Sequence, residues 1–446
     1  MIMAEISGRE AFQNVLAPAL PETTSHPRAP SLDESGDMPE TVSSARRPKR
    51  VLFVCNEFPY FLRHRFHIVE RLLAEGHEAL IATPPHPLTA SLTDHRITFI
   101  PVPVERHRLS INADFGLMSG VIKMMREHKP DAVHLQTIKP VLFGGLGATW
   151  LGRFAAKYRI PVVVTFAGLG RVFDEEGSRR GFKRYLRMAR RQCVVWGLRH
   201  VLASENVSLT FENPADRRYF VRHRFAPAGR CIVLSGAGID LDQFRFSRRH
   251  NVKTTVTFAS RLIKPKGVDL FVDAARIING RRHDIRFLLA GWTEPGRPDG
   301  LSEEELNQIR KEPGIEVLGE VSNMPPLLAD TDIVVLPSRY REGIPRVLIE
   351  GAASGCALIA SNRSGCRAIV KDKETGIILK RLQAEDLAVA IERLADAPDR
   401  RMRMGAAGRR HVEENGFSLT AVQDIFLAAY FAKKPGETGT ASQPAE

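Results

Sequence analysis

Short apolar runs recur along the chain, each followed by a stretch in which apolar residues return every three or four positions. RVLFVC (50–55), EALIAT (78–83), ITFIPVPV (97–104), DAVHLQ (131–136) and PVVVTF (161–166) have the length of strands. Runs without polar alternation predict strands buried on both faces, as in a parallel sheet. Between them lie helical patterns: FPYFLRHRFHIVERLLAEGH, a loop and helix closing at Gly76; a helix from about Phe115 to His128; and the small-residue-rich VLFGGLGATWLGRFAA. A basic helix is predicted over 179–198, HVLASE (200–205) reads as the next strand, and a further helix starts at Pro214. CIVLSGAGIDLDQF (231–244) closes this half. A second alternation opens near Val252, where VTFASRLIKPKGVDLFVDAARII (256–278) reads as strand, basic loop and helix. IRFLLAGW, IEVLGEV, DIVVLPS, ALIASN and GIILK are five more strands, and Phe417–Ala432 is a closing helix. Strand–helix alternation read twice predicts an α/β chain of two doubly wound, Rossmann-like domains with C-terminal helices.

A chain of 446 residues exceeds what one core holds, which agrees with two domains, placed at 48–245 and 246–432. Residues 1–47 are rich in Pro, Ser, Ala and Glu without periodicity, and they and residues 433–446 are expected to be disordered tails. No apolar run approaches the ~18 residues of a membrane span, and the N-terminus lacks the pattern of a secretory leader. The formal net charge of +13 calls for an anionic partner: nucleic acid, a membrane surface or phosphorylated substrates. The five cysteines form no CxxC pair, and four lie in or beside apolar elements, as buried thiols of a reducing cytosol do.

Candidate chemistry concentrates in SRYREGIPRVLIEGAASG, residues 338–355. A buried strand, DIVVLPS, runs into a polar loop and then Pro345, which suits the first helical position. Glu342 lies in the loop and Glu350 over one turn into the helix. Free N–H groups at the helix start, around Gly343, Ile344 and Pro345, form an anion site, where a carboxylate makes sense as an acceptor for hydroxyls beside a phosphate. A ligand with both diphosphate and sugar hydroxyls fits. Arg261 and Lys266 flank the loop after the strand at 256 and would set fixed positive charge against a diphosphate. In the first half no GxGxxG follows the first strand; the turn carries His64 and Arg65 instead. Lys139 lies just past a strand's carboxyl end, where doubly wound sheets bind ligands. Asp-x-Asp at 240–242 and 330–332 sits in structural contexts, and the fourteen His lack zinc-ligand spacing, so no metal site is expected.

Glu, seven residues, Glu, within EGIPRVLIE, resembles the signature of the family 4 retaining glycosyltransferases. RLIKPKG resembles that family's GRL-x-x-x-KG segment, with Ser260 in place of its Gly. FLRHR, PDAVHLQTIKPVLFGG, the Gly168-Leu169-Gly170 loop and FENPADRRYF are similar to the subgroup that extends lipid-linked (undecaprenyl-diphosphate) sugars. One departure stands out: where many members carry THG, this chain has Phe166, Ala167 and Gly168, without the His.

The resemblance implies a GT-B architecture of two facing Rossmann-like domains, with the donor held mainly by the second. It implies that Glu342 touches the donor sugar, that Glu350 holds the nucleotide ribose, and that Arg261 and Lys266 face the leaving diphosphate. His64, Arg65, Lys139, Gly168 and Gly170 would line the acceptor side. The implied reaction moves a hexosyl or N-acetylhexosaminyl unit, with retention, from a nucleotide sugar, UDP-linked by family frequency, to a lipid-diphosphate-linked saccharide in bacterial surface polysaccharide assembly. No metal or other cofactor is expected, since basic residues supply the charge. Seven Arg and Lys fall between 179 and 191, with Phe182, Tyr185, Leu186 and Trp196 on one side. This pattern predicts an interfacial helix in which Lys183, Arg184, Arg187 and Arg191 meet an anionic leaflet. The expected location is cytoplasmic, peripheral on the inner face of the membrane. A GT-B-fold nucleotide-sugar epimerase and a non-catalytic basic binding protein remain as alternatives. The chain lacks the aromatic–basic interleaving of an RNA-binding module, so nucleic acid is not an expected partner.

Overall fold

The computed structural model describes residues 47–102, 104, 111–166, 182–246, 252–293, 297–340 and 343–431. In the first half these form β1 (Arg50–Val54), α1 (Phe58–His64), α2 (Phe66–Ala74), β2 (Glu78–Thr83), β3 (Ile97–Pro101), α3 (Ile111–His128) and β4 (Ala132–Gln136). There follow α4 (Gly145–Phe154), β5 (Val162–Phe166), α5 (Phe182–Ala203), β6 (Val207–Phe211), α6 (Pro214–Arg222) and β7 (Cys231–Val233). The seven strands form one parallel sheet in the order β3-β2-β1-β4-β5-β6-β7. Val51 to Val54 are all fully buried, the reason for their unbroken apolar run.

The second half continues with β8 (Thr254–Ala259), α7 (Val268–Asn279), β9 (Ile285–Ala290), α8 (Glu303–Ile309), β10 (Ile315–Gly319), α9 (Met324–Ala329) and β11 (Ile333–Leu336). It ends with α10 (Arg346–Ala353), β12 (Ala357–Ser361), α11 (Ser364–Ile369), β13 (Gly376–Leu379), α12 (Ala384–Ala395), α13 (Pro398–Glu414) and α14 (Leu419–Phe431). Its six strands are ordered β10-β9-β8-β11-β12-β13, and they pair in parallel. The fold is thus the expected pair of parallel-sheet, Rossmann-like domains. In each sheet the order reverses beside its first strand, between β1 and β4 and between β8 and β11. The crevice at such a switch point, outside the carboxyl ends of the strands, is where these sheets hold ligands.

Two local expectations are corrected. HVLASE is not a strand: α5 runs on to Ala203, and the strand is VSLTF, in register with β5 from Val162↔Val207 to Phe166↔Phe211. Leu198, Val201 and Leu202 are fully buried, at helical spacing, and no Gly or Pro breaks the helix between them. Pro345 is the N-cap of α10, with ψ 123°, and not its first helical residue; its carbonyl accepts from Leu348 N–H at 3.1 Å.

The closing helix crosses between the halves. α13 packs in the second core through Met404 and Val412. α14 sets Val422, Phe426 and Tyr430 against Val51, Phe53, Phe61 and Val69 of the first. The Tyr430 hydroxyl meets His134 Nδ1 at 2.6 Å, and His134 Nε2 meets Thr165 Oγ1 at 2.7 Å, so the crossing helix is pinned by satisfied polar groups as well as by apolar burial.

Candidate active site

The two loops at the second switch point are locked together. Gly267 has φ +85°, and a Cβ there would lie 2.4 Å from the Pro337 carbonyl oxygen, so only glycine lets the KPKG turn reach the loop after β11. Arg339 N–H donates to the Pro265 carbonyl at 2.8 Å. The Arg339 guanidinium forks onto Asp269 at 2.8 and 3.0 Å and reaches the Lys264 carbonyl at 2.7 Å. Ser338 is fully buried between them. Arg261 and Lys266 sit half-buried in this rim, at the carboxyl end of β8. Gly291, beyond β9, serves the same end: a Cβ on it would lie 1.9 Å from the Ser260 oxygen.

Gly343, Ile344 and Pro345 are buried at the start of α10. They are sealed by the stretch that joins the halves, where Gly236, at φ +77°, brings its Cα face to Ile349 and Ile344. Glu342 lies outside the described residues, between Tyr340 and Gly343. Gly168 and Gly170 also lie outside the described residues. Glu350 is 5% exposed, and its Oε1 accepts from Arg346 Nε at 2.6 Å.

The first domain faces this rim with α1. Arg346 Nη1 donates to the Arg63 carbonyl at 2.6 Å, and the Arg63 guanidinium lies 4.9 Å from the centroid of the Trp292 ring. His64 is half-buried, its ring 4.5 Å from that of Tyr60. Burial first, then the cations Arg346, Arg65 and Arg63, hold its pKa well below the ordinary histidine value. His67 is pushed down to about 3, again by burial first and then by Arg65 and Arg346. Both imidazoles are therefore neutral at physiological pH and able to accept a hydrogen bond.

Arg65 follows α1, and Lys139 lies just beyond the carboxyl end of β4. Arg65 is 1% exposed, with Nη2 2.5 Å from Glu212 Oε1 and Nη1 donating to the His64 carbonyl. It thereby joins the junction of α1 and α2 to the FENP segment after β6, whose Asn213 side chain caps α6 by accepting from Asp216 N–H. Lys139 pairs with the buried Asp114 at 3.1 Å. Lys183, Arg184 and Arg187 lie along α5, and Arg191 on the same helix is half-buried.

Both Asp-x-Asp pairs are taken up by the fold. Asp240 Oδ1 accepts the Asp242 N–H, and Asp332 Oδ2 accepts the Thr255 N–H. Among the described residues no three His, Cys, Asp or Glu side chains are grouped to hold a metal ion.

Sequence reasoning missed Arg346, Arg339, Glu212 and Asp114. For Arg346 a signal existed, since it precedes Glu350 by four residues on a helix. Glu212 and Asp114 meet their partners only through strand order, across 147 residues in the Arg65–Glu212 pair.

Residues 63–237 match the family described as "Glycosyl transferase 4-like domain", and residues 241–411 match "Glycosyl transferases group 1". A D-inositol 3-phosphate glycosyltransferase of Paenarthrobacter aurescens is 30% identical over 239 residues, which is 50% of this chain and 56% of that protein. The Campylobacter jejuni N,N'-diacetylbacillosaminyl-diphospho-undecaprenol alpha-1,3-N-acetylgalactosaminyltransferase is 24% identical over 394 residues, 85% of this chain and 98% of that one. Among solved structures, a glycosyltransferase from Rickettsia africae superposes with a TM-score of 0.67 at 18% identity, covering 86% of this chain and 98% of its own. Anabaena Alr3699/HepE in complex with UDP does so with 0.65 at 17% identity, covering 85% and 99%. These likenesses establish the fold, and the two family matches meet head to tail across both halves. The chain belongs to the family 4 glycosyltransferases of GT-B fold.

Proposed function

We propose that this enzyme transfers a hexosyl or N-acetylhexosaminyl unit from a UDP-sugar, with retention, to a lipid-diphosphate-linked saccharide in bacterial surface polysaccharide assembly. The observation that carries the donor half is the single rim formed by the β8 and β11 loops. It draws the loop that carries Arg261 and Lys266 against the segment after β11 that leads to α10 and Glu350. Negative charge develops on the β-phosphate as the nucleoside diphosphate departs, and Arg261, Lys266 and the α10 N–H groups stabilise it there without a metal. Glu350 accepts from the ribose hydroxyls. Glu342 holds the donor sugar, and the departing phosphate takes the acceptor's proton in a same-face attack. On the acceptor side, neutral His64 lines the first crevice together with Gly168 and Gly170, while Arg65 and Lys139 shape its wall.

The lipid-linked acceptor is supported by the full-length alignment with the undecaprenol-linked transferase of C. jejuni. It is supported also by what α4 and α5 expose. Trp196 is 63% exposed and Cys193 also faces out, so the Cys193–Trp196 side of α5 is not its packing face. Trp150 and Phe154, at 50% and 70%, face out from the neighbouring α4 with their rings 5.0 Å apart. Aromatic rings beside a basic helix suit the headgroup level of an anionic membrane, here the inner face of the cytoplasmic membrane. No described helix is long and apolar enough to cross it. The test is a panel of nucleotide sugars scored for binding, slow hydrolysis and transfer to a lipid-diphosphate saccharide. Conversion of free UDP-sugar to its epimer, without acceptor, would favour the epimerase instead.

A further inference from the structure

Arg346 is the first residue of α10, where a cation opposes the positive end of its own helix dipole. Two partners offset this. Glu350, four residues on, accepts from Nε at 2.6 Å. The Arg63 carbonyl accepts from Nη1 at 2.6 Å, and Arg63 lies in the last turn of α1, in the other domain. The last carbonyls of a helix have no donor within it and carry the negative end of its dipole. The end of α1 thus offers Arg346 the charge that the start of α10 withholds. The Arg63 side chain returns the contact, stacking over Trp292 beyond β9 and reaching Glu320 beyond β10 at 3.5 Å. A planar guanidinium can hold a carboxylate with one nitrogen and a carbonyl with another, whereas the single ammonium of lysine cannot span both.

We infer that Arg346 is a positioning residue: it orients the Glu350 carboxylate toward the nucleotide and ties the donor loop to α1, coupling nucleotide binding to the approach of the two domains. The inference rests on the reading of Glu350 as the nucleotide-holding carboxylate. In that arrangement one carboxylate oxygen is fixed by Arg346 and the other is directed at the hydroxyls. Loss of Arg346 frees the Glu350 side chain and releases the link to the first domain together. The Arg346 side chain is 34% exposed, at the edge of the core and not within it.

The test is calorimetric titration of the full chain with UDP, GDP, ADP and dTDP, taking the tightest as probe. Wild type, Arg346→Gln, Arg346→Lys, Glu350→Gln and the double Gln variant are compared, with small-angle scattering with and without nucleotide. Arg346→Gln is expected to weaken binding about tenfold, the scale of one lost hydrogen bond to a charged group. Arg346→Lys is expected to recover only part of this. The double variant should lose less than the sum of the two single losses, because both changes act in part through one carboxylate. The nucleotide-induced contraction of wild type should be reduced in Arg346→Gln. Wild-type affinity in Arg346→Gln, or full additivity in the double variant, would overturn the positioning role while leaving the donor reading intact. Failure of wild type to bind any of the four nucleotides would overturn the donor reading, and the positioning role with it.

Discussion

Replacing Gly267 by alanine tests the rim that holds the donor loops together. The Gly267 backbone sits at φ +85°, which costs a residue with a Cβ about 1–2 kcal/mol. The new methyl would also lie 2.4 Å from the Pro337 oxygen and 2.7 Å from its ring, neither of them a flexible side-chain end. Relief requires the loop after β11 to move, at a further cost of about 1–3 kcal/mol, as for other overpacked sites. The expected loss is about 3 kcal/mol, or about 6–12 °C in the melting temperature of a domain this size. Gly76→Ala supplies the control, since Gly76 has φ +77° with nothing within 4 Å, so only the backbone term applies. It should cost about 1 kcal/mol and leave nucleotide binding unchanged. Thermal melts and UDP titrations of both variants make the comparison. Equal losses in the two, or full UDP affinity in Gly267→Ala, would refute the claim that this contact shapes the donor site.

Other outcomes follow from the same geometry. Glu342→Gln should abolish transfer while nucleoside diphosphate still binds, and turnover at the wild-type rate would remove it from the site. Arg65→Met should destabilise the first domain by about 3–5 kcal/mol, since it strands Glu212 in a pair whose side chains are 1% and 9% exposed, and denaturant unfolding reads this directly. His67 has a folded pKa near 3 against about 6.5 unfolded. The unfolded chain therefore binds the extra proton between those values, and stability should fall as pH drops from about 6.5 toward 3. His67→Gln should flatten that slope in denaturant melts. In co-sedimentation, anionic vesicles should retain the protein and neutral ones should not, with binding lost in salt and on changing Lys183, Arg184, Arg187 and Arg191 to Glu. Unchanged retention of that variant would move the anchor elsewhere, first to the basic residues 46–50.

The strands were legible because parallel strands buried on both faces need unbroken apolar runs, and Val51–Val54 and Ile333–Leu336 have them. Their order was not legible, since pairing of β1 with β4 rests on which surfaces meet in three dimensions. HVLASE misled because Val201 and Leu202 suit a strand as well as a helix, and length was the only arbiter. Within the second domain, the turn at KPKG could be read from the sequence, and Gly267 explains why glycine follows the lysine. Arg65 and Lys139 were read as cleft cations; the structure shows why such cations are not bare, since each faces a buried carboxylate, Glu212 and Asp114, supplied by a distant element. Arg346 was hidden for a different reason. Its second partner is a backbone carbonyl, which leaves no mark in sequence.

The most direct test of the account is the product itself. The protein is incubated with α-linked UDP-sugars and a lipid-diphosphate saccharide, in EDTA, and the new linkage is assigned by its anomeric coupling in NMR. The account predicts transfer that persists in EDTA and yields an α-linked product. A β-linked product, or transfer that appears only when divalent metal is restored, would contradict it.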